Sequence, residues 1–192
     1  MNSSTETTIK SFTTQQKWRE WLANSHSKSD GIWLRIFKKD AGKKTVTYDE
    51  ALDEALCFGW IDGQKNKYDD LSFLQKFTPR RKRSIWSKRN REKALKLIKE
   101  GRMTTAGRAE IERAKNDGRW DQAYDSPKNM EMPADFIKEL KKNHKAYEFF
   151  QTLNKTNKFA IAFRLHTAKK PETRERRMND FLARMERGEK FH

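Results

Sequence analysis

The chain has 192 residues, 43 of them Lys or Arg against 27 Asp or Glu, for a formal charge of +16. Only 34% of it is apolar, but 11% is aromatic, with twelve Phe and six Trp, which argues for a packed core and against disorder. A single cysteine excludes an intramolecular disulfide framework and a multi-cysteine zinc site, and the length fits one domain or one domain with a small appended lobe.

The first ten residues are polar and Ser/Thr-rich, and are expected to fray. Thr13 and Gln16 have capping-box spacing ahead of Trp18, Trp21 and Leu22, which predicts a helix from about Thr13. Ile32 to Lys38 reads as a strand, apolar on both faces, and Ala41 to Lys44 as a turn. Thr47 with Glu50 caps a second helix lined by Tyr48, Leu52, Ala55 and Leu56. Trp60–Tyr68 and Leu71–Thr78, separated by Asp69-Asp70, predict a β-hairpin with Leu71, Phe73 and Phe77 on one face. Helices are expected over Ser87–Glu100 and from Thr104 or Thr105 to Asp117, each stopped by a glycine. The second carries a small inner stripe, Gly107, Ile111 and Ala114, that lets a neighbour approach closely. Ser126 to Met132 is a candidate linker. Beyond it Pro133 opens a helical region, in which Phe159, Ala162, Phe163 and His166 form one stripe and Thr173 caps a last helix. The expected architecture is α+β: a small antiparallel sheet with packed helices over 12–125, then an all-helical module over 133–190.

The longest nearly unbroken apolar stretch, Ala55 to Ile61, is far too short to cross a bilayer, and MNSSTETTIK has no basic region leading into an apolar one. The expectation is a cytoplasmic protein without a transmembrane segment. Its oligomeric state is not legible from the sequence.

Several blocks, in register, resemble a known family. Ala55-Leu56-Cys57-Phe58-Gly59-Trp60-Ile61-Asp62-Gly63, Phe77-Thr78-Pro79-Arg80-Arg81 and Ser84-Ile85-Trp86-Ser87-Lys88-Arg89-Asn90 look like signature blocks of the YdeI/OmpD-associated family. Gly101-Arg102-Met103-Thr104, Ala106-Gly107 and Asp117-Gly118-Arg119-Trp120 extend the likeness. Ala168 to Arg177 resembles that family's C-terminal module, often labelled bacteriocin protection. The resemblance runs from roughly Phe12 to Lys190. It implies a stress-related role and brings no catalytic mechanism with it.

Read residue by residue, the sharpest functional feature is the helix start near Ser87. Trp86, Asn90, Ala94 and Leu97 fall on one helical face, so Asn90 occupies a stripe that should be buried and needs a protein or ligand partner for its amide. Arg80, Arg81, Lys82, Arg83, Lys88, Arg89, Arg91 and Lys93 crowd around it, opposed only by Glu92. Arginines beside a helix N-terminus make an anion site, to which Ser84 and Ser87 add donors. Trp60 and Asp62 share a strand face and complete a candidate ligand-binding set with Arg80, Arg81, Ser84, Trp86, Ser87 and Asn90. Lys169, Arg174 and Arg177 belong to a second basic run. An anionic small molecule or nucleic acid is the expected partner, since surplus positive charge favours phosphates.

The rival reading is a small-molecule enzyme whose pocket surrounds Trp60, Asp62, Arg80 and Asn90, with Asp62 as acid or base, Arg80 as anion clamp and Asn90 as orienting donor. No carboxylate pair, metal-ligand spacing or Gly-rich phosphate loop accompanies these residues, so neither a cofactor nor a metal is expected. Cys57 lies beside Asp53 and Glu54, acids that raise rather than lower a thiol pKa, and His166 is expected to be packed.

Overall fold

The computed structural model describes residues 8–126 and 129–190. Among these, four strands, β1 (Ile9–Lys10), β2 (Ile32–Phe37), β3 (Trp60–Lys67) and β4 (Ser72–Pro79), form one sheet in the order β1-β2-β4-β3. The helices are α1 (Gln15–Ser25), α2 (Tyr48–Cys57), α3 (Lys88–Lys99), α4 (Thr105–Asn116), α5 (Ala134–Leu140), α6 (His144–Thr152), α7 (Lys155–His166) and α8 (Pro171–Glu186). The architecture is α+β. The sheet is mixed rather than purely antiparallel, because Ile9 and Lys10 pair parallel with Trp33 and Leu34. That short strand lies in the polar stretch expected to fray; residues 1–7 are outside the described residues.

The chain divides into two compact units. The first runs to Trp86 and resumes over Asn90–Gln122; the second joins Ser87–Arg89 to the chain from Ala123 onward.

In the first unit, local signals set the elements. Thr14, one residue later than expected, caps α1 by accepting from Lys17 N–H, and Thr47 and Glu50 close a reciprocal capping box on α2. Helices α1 and α2 cover one face of the sheet. Trp18 lies 5.7 Å from Phe77, Trp21 meets Trp60 edge-on at 5.8 Å, and the Trp18 indole donates to Ala51 O. Ile32, Leu34 and Ile36 are buried on that side, while Trp33, Arg35 and Phe37 point the other way and stay half-buried. Gln75, the polar residue in the β4 stripe, is buried because its amide donates to the carbonyls of Gly63 and Gln64. Those carbonyls fall where the β3–β4 register shifts between Asp62 and Lys65. Leu71, expected on that face, is exposed instead and precedes the strand.

The small stripe of α4 does what its composition suggested. Gly107 packs so closely on the end of α2 that a Cβ there would stand 2.8 Å from Leu56 O and closer still to Cys57 O. Thr104 reinforces the contact, with its hydroxyl and its N–H both donating to Cys57 O.

The second unit is helical. Phe136, Leu140, Phe150, Ile161, Leu165, Phe181 and Met185 build its core, at roughly 1.5–3 kcal/mol per buried large side chain. Pro133 caps α5 rather than opening it, and Pro171 opens α8 two residues ahead of Thr173. The linker expected over Ser126–Met132 lies partly outside the described residues. Helix α7 is turned relative to expectation. It buries Asn157, Ile161, Ala162 and Leu165, while Phe159 and Phe163 are half-buried and His166 is exposed, its ring Nε2 2.9 Å from Glu131 O.

Candidate functional site

The residues nominated from the sequence have different surroundings. Trp60 is a core side chain, its indole donating to His26 O. Asp62 is half-buried and accepts a 2.7 Å bond from the Tyr48 hydroxyl. Both side chains are engaged by protein partners, and the arrangement lends the enzyme reading no support. Arg81, Lys82 and Arg83 form an exposed turn, fixed by Arg81 N–H donating to Ser84 Oγ and Ser84 N–H donating to Arg81 O. The cations of α3 disperse. Lys88 pairs with Asp125 at 2.5 Å, Arg91 donates to Trp120 O, and Lys93 lies between Asp53 at 2.7 Å and Asp49 at 3.4 Å. Ser87 is half-buried in the second unit, bridged to Tyr124. Asn90 is buried on the inner stripe of α3, as its spacing implied.

The secondary basic patch is largely engaged within the protein. Lys169 is exposed, but Arg174 forks onto both oxygens of Asp135 at 2.5 and 2.8 Å, and Arg177 donates to Arg164 O. Arg174, helped by the Phe136 N–H, holds the Asp135 carboxyl below its ordinary range.

What the fold does bring together is a group of arginines around Arg80 and Trp86. Arg80 directly follows β4, anchored by its N–H to Gly59 O. Its guanidinium lies 3.6 Å from the centre of the Trp86 ring and is only 6% exposed. Trp86 in turn meets Trp120 edge-on at 4.9 Å. Arg119, 5% exposed, follows the left-handed Gly118 that terminates α4. Its Nε donates to both oxygens of Asp117 at 2.7 Å, and one Nη to Ser84 O at 2.5 Å. Glu110, on α4, pairs with Arg113 and lies in the field of Arg80 and Arg119 as well. Burial nevertheless raises the Glu110 pKa above its ordinary value near 4.5, so dehydration there outweighs three nearby guanidinium charges. Three buried donors in this group, Arg119 Nη2, Arg113 Nε and Trp86 Nε1, have no hydrogen-bond partner among the described residues.

Sequence reasoning found Arg80, Ser84 and Trp86 but missed Glu110, Arg113 and Arg119. The available signal was the Asp117-Gly118-Arg119-Trp120 run, a charged residue wedged between a helix-stopping glycine and a large aromatic.

A second ionic cluster is self-satisfied. The buried Glu54 carboxylate accepts from Arg19 at 2.5 Å, Arg102 at 2.6 Å and Gln15 at 2.7 Å, beside a cleft of about 710 Å³. Cys57 lies close by, and its pKa is pushed up to about 11, first by burial and then by Glu54, so its thiol is not activated. Among the described residues, no cluster of three or more His, Cys, Asp or Glu is placed to hold a metal ion, and no helix is long and apolar enough to cross a membrane.

Residues 10–110, more than half of the chain, match the family model described as Domain of unknown function (DUF8412). The chain belongs to that family. The DUF8412 match carries Arg80, Trp86 and Glu110, and also the blocks around Ala55–Gly63, Phe77–Asn90 and Gly101–Thr104. Residues 129–188 match a second model, Bacteriocin-protection, YdeI or OmpD-Associated. This supports the YdeI/OmpD-associated membership read from the sequence, and it rests on the C-terminal helical part rather than on the whole span from Phe12 to Lys190. No curated protein and no solved structure matches the chain.

Proposed function

We propose that this protein binds an anionic ligand, bearing a phosphate or carboxylate group, at the arginine cluster of Arg80, Arg113 and Arg119. The observation that carries this reading is Arg119 Nη2, a guanidinium donor on a side chain only 5% exposed, with no hydrogen-bond partner among the described residues. Leaving a buried donor unsatisfied costs about 1–3 kcal/mol, more for a charged one, so such a group in a native protein calls for an explanation, an ion being one. Trp86 Nε1 and Arg113 Nε add two further donors. The charge balance points the same way. Among the described residues Glu110 and Asp117 lie against the three guanidiniums, and burial raises the Glu110 pKa from its ordinary value. An arriving anion would supply the missing negative charge in a low dielectric, where charge-assisted bonds are strong.

The second matched family, described by bacteriocin protection, supports placing this binding in a stress-related role. Isothermal titration with inorganic phosphate tests the binding. The wild type is expected to show saturable uptake, Arg119→Gln to lose it, and Glu110→Gln to bind more tightly because it removes the competing carboxylate. Equal affinities in all three proteins would refute the site.

A further inference from the structure

The sheet face opposite α1 and α2 is a separate surface. Register places Trp33 opposite Lys76, Arg35 opposite Leu74 and Phe37 opposite Ser72, all on the side away from the buried Ile32, Leu34 and Ile36. Three rings lie on or beside it: Trp33 and Phe37, both half-buried, and Tyr68, 48% exposed. Each carries a cation. Lys76 Nζ is 5.5 Å from the Trp33 ring, Lys43 Nζ is 5.1 Å from Phe37, and the Arg35 guanidinium lies between Phe37 at 4.5 Å and Tyr68 at 4.6 Å.

These cations are of two kinds. Arg35 is pinned, with Nε donating to Ser72 Oγ at 2.9 Å and an Nη to Asp69 at 2.6 Å, so it extends the aromatic surface as a fixed planar group. Lys76 and Lys43 show no ion pair among the described residues and reach their rings on flexible stems, so both can swing aside and leave a π-face open. Lys76 also lines a groove of about 670 Å³ with Lys28 and Arg81, opposed by Asp30 alone. The groove is therefore continuous with the Trp33 end of the aromatic row and carries a surplus of positive charge.

We propose that this open sheet face binds single-stranded nucleic acid, with bases stacked on Trp33 and Phe37 and phosphates met by Lys76, Lys28 and Arg81. Rings four residues apart on a strand are separated by roughly 13 Å, too far for one small anion and suited to a run of two or three bases. Stacking requires unpaired bases, so a duplex, whose base faces are hidden, can use only the cations. Charge complementarity and ring spacing thus select a flexible polyanion with exposed aromatic faces. This surface shares no residue with the Arg80–Arg119 cluster, and the inference does not depend on that site.

Fluorescence anisotropy with labelled oligo-dT and oligo-U of about 15 nucleotides, against a duplex of equal length, tests it. At roughly 50 mM salt the single strands are expected to bind more tightly than the duplex, and to weaken steeply by about 200 mM. Trp33→Ala and Phe37→Ala should each cost about tenfold in affinity. The double change Lys28→Glu with Arg81→Glu, in exposed or half-exposed loop positions, should weaken binding and reduce the salt slope by about 1.4. It serves as the independent arm if a ring substitution unfolds the sheet, which near-ultraviolet circular dichroism would report. Equal or tighter binding of the duplex, no binding at the lower salt, or unchanged affinity in the folded ring variants together with an unchanged salt slope in the charge variant would overturn the proposal.

Discussion

Replacing Gly107 by alanine should destabilise the first unit, against the sign that helix propensity alone gives. In an open helix interior, alanine is favoured over glycine by about 0.8–1.0 kcal/mol. Here the new methyl would stand 2.8 Å from Leu56 O and nearer to Cys57 O, inside the 3.0 Å that real Cβ contacts respect. These are backbone atoms at the end of α2 and cannot rotate away, so α4 must retreat. Overpacking of this kind costs roughly 1–3 kcal/mol. The retreat also stretches the two Thr104 bonds to Cys57 O, each contributing about 0.5–1.5 kcal/mol. Subtracting the propensity gain leaves a net loss of about 1–5 kcal/mol. All six tryptophans lie in the first unit, so urea unfolding followed by tryptophan fluorescence reads that unit alone. Ala109→Gly, at an exposed position of the same helix, is the control and should cost about 1 kcal/mol. A Gly107→Ala protein as stable as the wild type, or more so, would refute the close-approach argument.

Three further outcomes follow from the ionic groups. Glu54→Gln removes the charge shared by Arg19 and Arg102; both arginines are about one-third exposed and can rehydrate, so the loss should be about 2–3 kcal/mol by urea unfolding, below that of a fully buried pair. Arg174→Ala should lower the stability of the second unit by no more than about 1 kcal/mol near neutral pH, as expected for a solvent-accessible pair. Because the Asp135 pKa is depressed from 3.8, that contribution is present above 3.8 and lost as pH falls through the depressed value, so circular dichroism should show the two proteins converging in acid. Glu110 has the opposite sign: its raised pKa gives a contribution fully present below 4.5 and lost as pH rises through the raised value. Protonating it also strengthens the local positive charge, so phosphate affinity should rise on acidification through that window and be flat in Glu110→Gln.

The parts of the fold that were legible are those governed by neighbours in sequence. Thr47 and Glu50 announced their helix because both halves of a capping box lie within one turn. Gly107, Ile111 and Ala114 announced a close helix contact because small residues recurred on one face. Strand β1 was hidden because two residues in a polar stretch carry no period; its order comes from pairing with Trp33 and Leu34. Helix α7 was turned because it is apolar on two sides. Large Phe159 and Phe163 suggested one face, yet they pack on each other, 5.7 Å apart and half-buried, while Ile161 and Leu165 enter the core. The basic run after Arg80 was visible only as charge. The partners that single out Arg80 and Trp86 from Arg81, Lys82 and Arg83 come from Glu110 to Trp120, about 25–40 residues further on, where only the fold brings them within reach.

The indole N–H of Trp86 is the most direct reporter on the proposed anion site, since it is a buried donor beside the Arg80 guanidinium with no hydrogen-bond partner among the described residues. Titrating inorganic phosphate into nitrogen-15-labelled protein, and following that resonance together with the Arg119 side chain, measures occupancy at the atoms that would make the bonds. A saturable shift of both signals with one dissociation constant, absent in Arg119→Gln, is the predicted result. Resonances that stay fixed while phosphate is raised, or that drift linearly like the exposed amides around them, would contradict it.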